Sequence, residues 1–344
     1  MKTLLLKDTE EDIEKAAKIL QSGGLVGMPT ETVYGLAANA LNPKAVADIF
    51  KAKGRPMDNP LIVHISSFED IERFNLAEEI SEKARLLAKS FWPGPLTMIV
   101  KKGSAVPNEV SAGLDTVAIR FPSHKTANRL IAKANLPLAA PSANLSGSPS
   151  PTTAQHVMND LSGRIDAVVD GGTSDVGLES TVITLAENPP RLLRPGGITV
   201  EQLESVIGRI EVDKAVLHKL DDNAKAASPG MKYKHYAPKA NVIILKADDK
   251  SFTDYVNSNK SEDVAAICYN ENEPYLNVKT YSLGKKQDLK SQAHNLFEIL
   301  REIDLNPQIK TVYAICPKTD GVGMAVYNRL IRAAGFEVKD LEKL

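Results

Sequence analysis

The sequence has little of several features that would point to a specialised class of protein. Of its 344 residues only 5% are aromatic, and the formal net charge is -1. A nucleic-acid surface built on stacked rings would therefore be small, and no overall basic field attracts RNA or an anionic membrane. Acidic residues follow the first apolar run, at residues 4–6, almost at once. We expect neither a signal peptide nor a membrane span, and hence a cytoplasmic protein without a membrane partner.

Cysteine is also scarce. The two cysteines, Cys268 and Cys316, lie in similar contexts, VAAICYN and VYAICPK. Each follows a short apolar run, which predicts buried thiols at the ends of neighbouring strands rather than a disulfide or a metal site. Reduced thiols fit a cytoplasmic location.

Several common nucleotide-binding and catalytic motifs are missing from the sequence. It contains no G-x-x-x-x-G-K-[ST] loop, no G-x-G-x-x-G after a strand, no Cys/His cluster and no G-x-S-x-G turn. If a nucleotide binds, scattered cations and hydroxyls must hold it.

Strand-like and helix-like patterns alternate along the chain, which predicts an α/β architecture. Residues 1–207 contain many short β-rich runs with helical patterns between several of them, beginning with a helix that Thr9 caps. Residues 240–344 alternate apolar strands with helices, which predicts a smaller, mostly parallel, doubly wound sheet. Residues 208–239 form a linker between the two domains.

Two cations follow the helical pattern PKAVADIFKAKG. Lys53 and Arg55 are two residues apart, so in an extended loop their side chains would point the same way and suit a polyphosphate. The alternative is a solvated basic turn that complements the end of the helix.

Three further charged or titratable side chains stand at the ends of β-rich runs: His64 in LIVH, Arg120 in VAIRF and Arg194 in RLLR. Strand ends are where ligands bind in α/β sheets, although a lone histidine there is often structural. A buried guanidinium needs an anionic partner, which is either a protein carboxylate or a ligand carboxylate.

Hydroxyl-rich segments follow or begin other strands. Ser142, Asn144 and Ser150 lie in APSANLSGSPSPT, and Ser180 lies in GLESTV beside Glu179. Such loops can bind phosphate, ribose or base edges. A plain polar turn is the alternative for the first of them.

These motifs, taken together and in order, resemble the YrdC-like family, and more closely its two-domain form, the threonylcarbamoyl-AMP synthases. The segments that carry the resemblance are PTETVYGL, KGRPMDNPLIVHI, FWPGPLT, VAIRFPSH, PSANLSGSPSPT, GLESTV and LLRPGGIT. The C-terminal part matches mainly by its pattern and by GVGMAVYNRLIRAA. The resemblance implies a twisted mixed sheet in a catalytic domain, residues 1–207, and a Rossmann-like C-terminal domain, residues 240–344.

The resemblance also implies an activity, that of a nucleotidyltransferase. L-threonine, bicarbonate and ATP would give L-threonylcarbamoyladenylate and pyrophosphate. The product would pass to a tRNA threonylcarbamoyl transferase complex that modifies adenosine 37 in tRNAs reading codons that begin with A. Mg²⁺ would be held by the phosphates of ATP, since no cluster of carboxylates resembles a metal site.

Site residues carry over motif by motif. Lys53 and Arg55 would be catalytic, beside the phosphates. The threonine site would comprise Thr32, His64, Arg120 and Ser180, with Arg120 on the carboxylate. The ATP site would comprise Arg55, Asn59, Thr116, Ser142, Asn144, Ser150 and Arg194.

The linker is unusually rich in large functional side chains, in the stretch SPGMKYKHYAPKAN. A reactive adenylate must be shielded from water, so we expect residues 228–238 to close over the cleft as a lid, with Gly230, Tyr233 and His235 reaching ATP. In the alternative, the tyrosine and histidine only pack against the C-terminal domain.

Two other functions stay open on the sequence. The clustered cations also suit a module that binds double-stranded RNA or tRNA, against which the near-neutral charge and few aromatics argue. An enzyme that makes a carbamoyl-adenylate of another acceptor is the second, because the preference for threonine rests on the resemblance alone.

Overall fold

The computed structural model describes residues 2–218 and 236–343, here called the N-terminal and C-terminal domains. In the N-terminal domain the strands are β1 (Leu4–Lys7), β2 (Val26–Met28), β3 (Gly35–Asn39), β4 (Ile62–His64), β5 (Leu96–Lys101), β6 (Thr116–Arg120), β7 (Leu138–Ala139), β8 (Ala167–Asp170), β9 (Thr181–Thr184), β10 (Arg191–Arg194) and β11 (Glu211–Val212). Its helices are α1 (Glu10–Gln21), α2 (Pro43–Lys53), α3 (Asp70–Arg73), α4 (Glu82–Phe91), α5 (Asn108–Ser111), α6 (Lys125–Ala134), α7 (Ala154–Leu161) and α8 (Val200–Ile207), and a 3-10 turn spans Lys214–Val216.

These strands form one mixed sheet in the order β1-β8-β2-β3-β7-β4-β6-β5-β9-β10-β11. Parallel pairs such as β4–β6 and β5–β9 alternate with antiparallel pairs such as β5–β6 and β9–β10. The predicted mixed sheet is confirmed. β4 and β6 run side by side in register, so His64 lies opposite Arg120 at the end where both strands finish.

Local signals in the sequence explain the helices that flank the sheet. Thr9 caps α1 by accepting a hydrogen bond from the Asp12 amide, as predicted, and the helix buries Ile13, Ala17 and Leu20 along one face. α2 begins with Pro43 at its first turn and ends at Gly54, which adopts a left-handed conformation (φ 62°) that suits glycine.

The C-terminal domain contains β12 (Asn241–Lys246), α9 (Asp249–Ser258), β13 (Val264–Cys268), β14 (Lys279–Ser282), α10 (Leu289–Asp304), β15 (Thr311–Ile315), α11 (Gly323–Ala333) and β16 (Val338–Asp340), with 3-10 turns at Glu273–Tyr275 and Leu341–Lys343. Its sheet has the order β14-β13-β15-β12-β16 and every pairing is parallel. The crossover through α9 runs one way along the sheet and the crossovers through α10 and α11 run the other way. This places α9 on one face and α10 and α11, which pack together, on the other. The predicted doubly wound sheet is confirmed.

The two cysteines end neighbouring parallel strands, as predicted. Cys268 is the last residue of β13 and is buried, whereas Cys316 follows β15 and is half-buried. Neither cysteine forms a disulfide within the described residues. Among the described residues, no helix has the length and apolar character needed to cross a membrane.

The two domains share a continuous apolar core. Val33 and Leu178 of the N-terminal domain belong to the same buried cluster as the strands and helices of the C-terminal sheet. Of the predicted linker, 208–239, the described start lies on the N-terminal sheet, where β11 pairs with β10 and Ala215 is buried. The chain division at 207 and 240 stays a prediction.

Candidate active site

A cleft lies where several strands of the N-terminal sheet end or begin, beside the C-terminal domain. Its lining includes Thr30, Thr32, Val33, Gly35, Arg55, Ile62, His64, Arg120, Ala140, Pro141, Ser142, Glu179, Ser180, Arg194 and Tyr236. Seven residues predicted from the sequence therefore meet here: Thr32, Arg55, His64, Arg120, Ser142, Ser180 and Arg194.

Arg120 is buried in the cleft with a protein carboxylate as its partner. Its Nη2 lies 2.8 Å from Oε1 of Glu31, and its Nη1 donates to Oγ1 of Thr32 at 2.8 Å. Nε donates a longer bond, 3.4 Å, to the carbonyl of Gly94. Burial alone would raise the pKa of Glu31, but the charge and hydrogen bond of Arg120 outweigh it and lower that pKa. The sequence had left the nature of this partner open.

His64 is neutral at physiological pH. Burial, followed by the nearby charge of Arg120, lowers the pKa of His64 to about 3. Nδ1 lies 3.2 Å from the carbonyl of Ile62, which can only accept, so the tautomer with the proton on Nδ1 satisfies this contact. The other ring nitrogen is then an acceptor.

Arg194 holds the segment that begins β9. Its Nε donates to the carbonyl of Ser180 and its Nη2 to the hydroxyl, both at 3.0 Å. The Ser180 hydroxyl also lies 2.8 Å from that of Thr97. Burial lowers the pKa of Arg194 to about 10, so the guanidinium stays charged at neutral pH.

Arg55 is the cation whose hydrogen-bonding capacity is used least. Its Nη2 donates two long bonds of 3.4 Å, to the carbonyls of Asn59 and Pro60. Nε is buried and has no hydrogen-bond partner among the described residues. Burial lowers the pKa of Arg55 to about 10, which leaves it protonated near pH 7. Because Arg55 lines the cleft, its guanidinium suits an anionic ligand.

Lys53 and Arg55 do not converge in the way that an extended loop would make them. α2 continues through Lys53 before the chain turns at Gly54, and Lys53 is only 2% exposed. Its ammonium donates to the carbonyl of Ser142 and, at 2.6 Å, to that of Asn144. Burial, followed by the charge of Arg55, lowers the pKa of Lys53 well below its usual value. Lys53 thus stabilises the serine-rich loop, residues 140–152, by binding its carbonyl groups. A direct contact of Lys53 with phosphate stays a prediction.

Other predicted residues lie outside the cleft lining. Asn144 folds its own loop, donating to the carbonyls of Leu145 and Ser148 at 2.7 and 2.8 Å. Asn59 is buried next to Arg55, and Thr116 begins β6, about 13 Å along the strand from Arg120. Their contacts with ATP stay predictions. Gly230, Tyr233 and His235 lie outside the described residues.

Ser150 leads to a site residue that the sequence interpretation did not assign. Its hydroxyl donates to Oε1 of Glu179 at 2.6 Å. Glu179 is buried and is the carboxylate that lines the cleft within the part of the chain described. In the sequence, the signal that could have identified Glu179 is its position beside Ser180 in GLESTV.

Tyr236 is a second such residue and closes one side of the cleft. Its ring packs on Phe297 of α10, with the ring centroids 5.1 Å apart, and is 4% exposed. The next residue, Ala237, donates its amide to the carbonyl of Gly147 in the serine-rich loop at 3.2 Å. The end of the predicted linker therefore contacts both domains at the cleft.

The single tryptophan of the sequence lies beside this site. Trp92 is half-buried near Phe68, and its indole N–H donates to the carbonyl of Leu96 at 2.7 Å. Gly94, which accepts from Arg120, lies two residues away in the same turn.

Comparison with known proteins decides the family. The Sua5/YciO/YrdC family model, described as telomere recombination, matches residues 18–196. A model described as the C-terminal domain of threonylcarbamoyl-AMP synthase matches residues 198–335. The chain belongs to the Sua5/YciO/YrdC family. The predicted two-domain form and the prediction of an enzyme are confirmed.

Relatives of this Sua5/YciO/YrdC family member match along its whole length. It is 47% identical over 337 residues, or 96% of both chains, to a Pyrococcus abyssi protein named threonylcarbamoyl-AMP synthase. A Bacillus subtilis protein of that name is 46% identical over 337 residues, covering 97% of this chain and 96% of the other. The crystal structure of P. abyssi Sua5 complexed with L-threonine matches with a TM-score of 0.90 at 44% identity, covering 99% of this chain and all 100% of that one.

Proposed function

We propose that this protein catalyses the synthesis of L-threonylcarbamoyladenylate from L-threonine, bicarbonate and ATP, with release of pyrophosphate. The observation that carries the proposal is the charge of the cleft. Three guanidinium groups line it, those of the buried Arg120 and Arg194 and of the half-buried Arg55, while Glu179 already has two partners in Arg329 and Ser150. The proposed substrates are all anionic or carry a carboxylate, so preorganised cations would gather them.

The threonine site is the end of the cleft around Arg120. The guanidinium of Arg120 would bind the threonine carboxylate while it keeps its hydrogen bond to the Thr32 hydroxyl. The neutral ring of His64, with its unprotonated nitrogen, would accept a hydrogen bond from the threonine hydroxyl. Ser180 would complete the site. The relatives' name and the L-threonine complex of the P. abyssi protein support this assignment.

The ATP site is the opposite end, around Arg55 and Arg194. The threonine amine adds to bicarbonate with loss of water, and an oxygen of the resulting carbamate attacks the α-phosphorus of ATP while pyrophosphate leaves. Arg55 lines the cleft and makes only long hydrogen bonds to the protein, so its guanidinium would bind the phosphates, and Arg194 lies beside Ser180. Positioning and charge stabilisation, rather than a covalent intermediate, would drive the step.

The residues present fit Mg²⁺ bound through phosphates rather than through the protein. Across residues 2–218 and 236–343 no group of three or more His, Cys, Asp or Glu could hold a metal ion. Both oxygens of Glu179 already accept hydrogen bonds, from Ser150 and Arg329. When bound with ATP, Mg²⁺ would neutralise part of the phosphate charge.

The cellular role follows from the product. A threonylcarbamoyl-adenylate is a reactive acyl donor, so a transferase complex must take it up. We assign the product to the modification of adenosine 37 in tRNAs that read codons beginning with A. This modification would take place in the cytoplasm. The segment 228–238 would shield the intermediate as a lid, which the position of Tyr236 between cleft and α10 supports.

Pyrophosphate release from ATP tests the proposal, with threonine and bicarbonate omitted in turn. We expect release to depend on both, and mass spectrometry to show the adenylate. Release that needs neither, or that accepts any amino acid equally, would overturn it. Tight binding of double-stranded RNA without such release would favour the RNA-binding function instead.

A further inference from the structure

The C-terminal domain contributes a buried arginine to the rear of the cleft. Arg329, on α11, is 0% exposed. Its Nε lies 2.9 Å from Oε2 of Glu179, its Nη2 donates to the carbonyl of Glu179 at 3.2 Å, and its Nη1 donates to the carbonyl of Pro195 at 2.6 Å. The guanidinium of one domain is therefore bonded to two segments of the other.

Each of those segments adjoins a residue that is proposed to bind substrate. Glu179 precedes Ser180, and Pro195 follows Arg194, which is itself bonded to Ser180. Through its second oxygen Glu179 also fixes the hydroxyl of Ser150. Arg329 thus connects three residues that are proposed to bind substrate, Ser180, Arg194 and Ser150, although it does not line the cleft itself.

We propose that Arg329 is a positioning residue of the active site, which orients Glu179 and neutralises its carboxylate so that the cleft can accept the triphosphate. This inference rests on the proposed function. An uncompensated carboxylate in the cleft wall would repel ATP, because charges interact strongly in a buried site.

The charges that face Glu179 support this role. They are Arg329 and Arg332 from α11, Arg194 from β10 and Lys53 from α2, with the Tyr236 hydroxyl on the C-terminal side. Burial would raise the pKa of Glu179, but Arg329 and then Arg194 outweigh it and hold the pKa at about 2. Loss of Arg329 removes the larger of these two effects, so the pKa of Glu179 rises and the group can take up a proton at moderately acidic pH.

Pyrophosphate release and ATP binding by Arg329→Met test the inference. We expect the KM for ATP to rise at least tenfold at pH 8, and the defect to shrink relative to wild type as the pH falls to 6, because protonation of Glu179 removes the repulsion. We expect Arg329→Met/Glu179→Gln to bind ATP more tightly than Arg329→Met, since its residue 179 is uncharged. Loss of structural support alone would produce neither effect.

Phe252→Leu is the matched control for stability, because Phe252 is buried in the C-terminal core and lies outside the cleft lining. Its KM for ATP should stay within twofold of wild type. If Arg329→Met does not fold, Arg329→Gln serves with the same measurements, since it removes the charge but keeps a hydrogen-bond donor. A KM for ATP and a pH profile like those of wild type would overturn the inference.

The two proposals can fail separately. A wild-type protein without threonine-dependent and bicarbonate-dependent release refutes the proposed reaction. In that case, calorimetry with ATP alone decides the role of Arg329, and equal affinity of wild type and Arg329→Met refutes it.

Discussion

Two buried arginine–glutamate pairs flank the cleft with nearly the same geometry and opposite orientation. Nη2 of Arg120 lies 2.8 Å from Oε1 of Glu31, and Nε of Arg329 lies 2.9 Å from Oε2 of Glu179. In the first pair the arginine lines the cleft, and in the second the carboxylate does. A buried pair therefore does not by itself indicate which charge a ligand meets. One end of the cleft presents an arginine with a carboxylate behind it, and the other a carboxylate with an arginine behind it, beside Arg194.

The pairs also differ in which domains they join. Glu31 and Arg120 both belong to the N-terminal domain, whereas Arg329 reaches Glu179 from the C-terminal domain. We infer that the end around Arg120 is complete in one domain and the end around Glu179 is not. Breaking one partner of a buried pair is usually severe, because the other charge is left uncompensated.

The largest effect should come from Arg120→Ala. It removes the cleft-facing cation and leaves the Glu31 carboxylate unpaired, so we expect turnover to fall at least a hundredfold and threonine binding to be lost. Pyrophosphate release and calorimetry with threonine measure this. Arg129→Ala, which removes a half-exposed arginine paired with Asp8 and Glu10, should retain full activity. Near-normal release by Arg120→Ala would remove Arg120 from the threonine site.

Tyr236→Leu should have a smaller effect, in the region where the domains meet. Loss of the ring contact with Phe297 should raise the KM for ATP about three- to tenfold, since aromatic pairs contribute ~1 kcal/mol. The double variant with Phe297→Leu sharpens the comparison. If Tyr236 acts through Phe297, the two changes are not additive, whereas strictly additive effects would contradict that route.

The smallest effect should come from Glu31→Gln, and it should have the opposite sign to that of Arg329→Met. Removing the charge behind Arg120 leaves the guanidinium uncompensated at the threonine end, so we expect the KM for threonine to fall about threefold. Thr32 still accepts from Arg120 and keeps it in place. A KM for threonine that rises tenfold would show that Glu31 orients Arg120 rather than balancing its charge.

Strands and helices with strong patterns were predictable, and the weakly patterned ones were not. β3, GLAAN, consists mostly of small residues without β-branching, and only its pairing between β2 and β7 shows it to be a strand. β1 and β11 are short edge strands that long-range pairing defines. Apolar strands such as β6 were evident because they are buried on both faces.

In the site, cations at strand ends were predictable and their partners were not. A charge that ends a buried run must be satisfied, which singles out Arg120 and Arg194. The partner of a buried charge depends on tertiary contacts, so no sequence pattern pairs Glu31 with Arg120 or Arg329 with Glu179. The extended loop assumed for Lys53 and Arg55 is not observed, because α2 includes Lys53.

Trp92 is a spectroscopic probe for the end of the cleft around Arg120, the proposed threonine site. The protein has a single indole, and it lies in the turn whose Gly94 carbonyl accepts from Arg120. Any shift of Arg120 toward an arriving carboxylate changes the field and the contacts around that ring. Intrinsic tryptophan emission should therefore change when this end of the cleft is occupied, in unlabelled protein and in the stopped-flow time range.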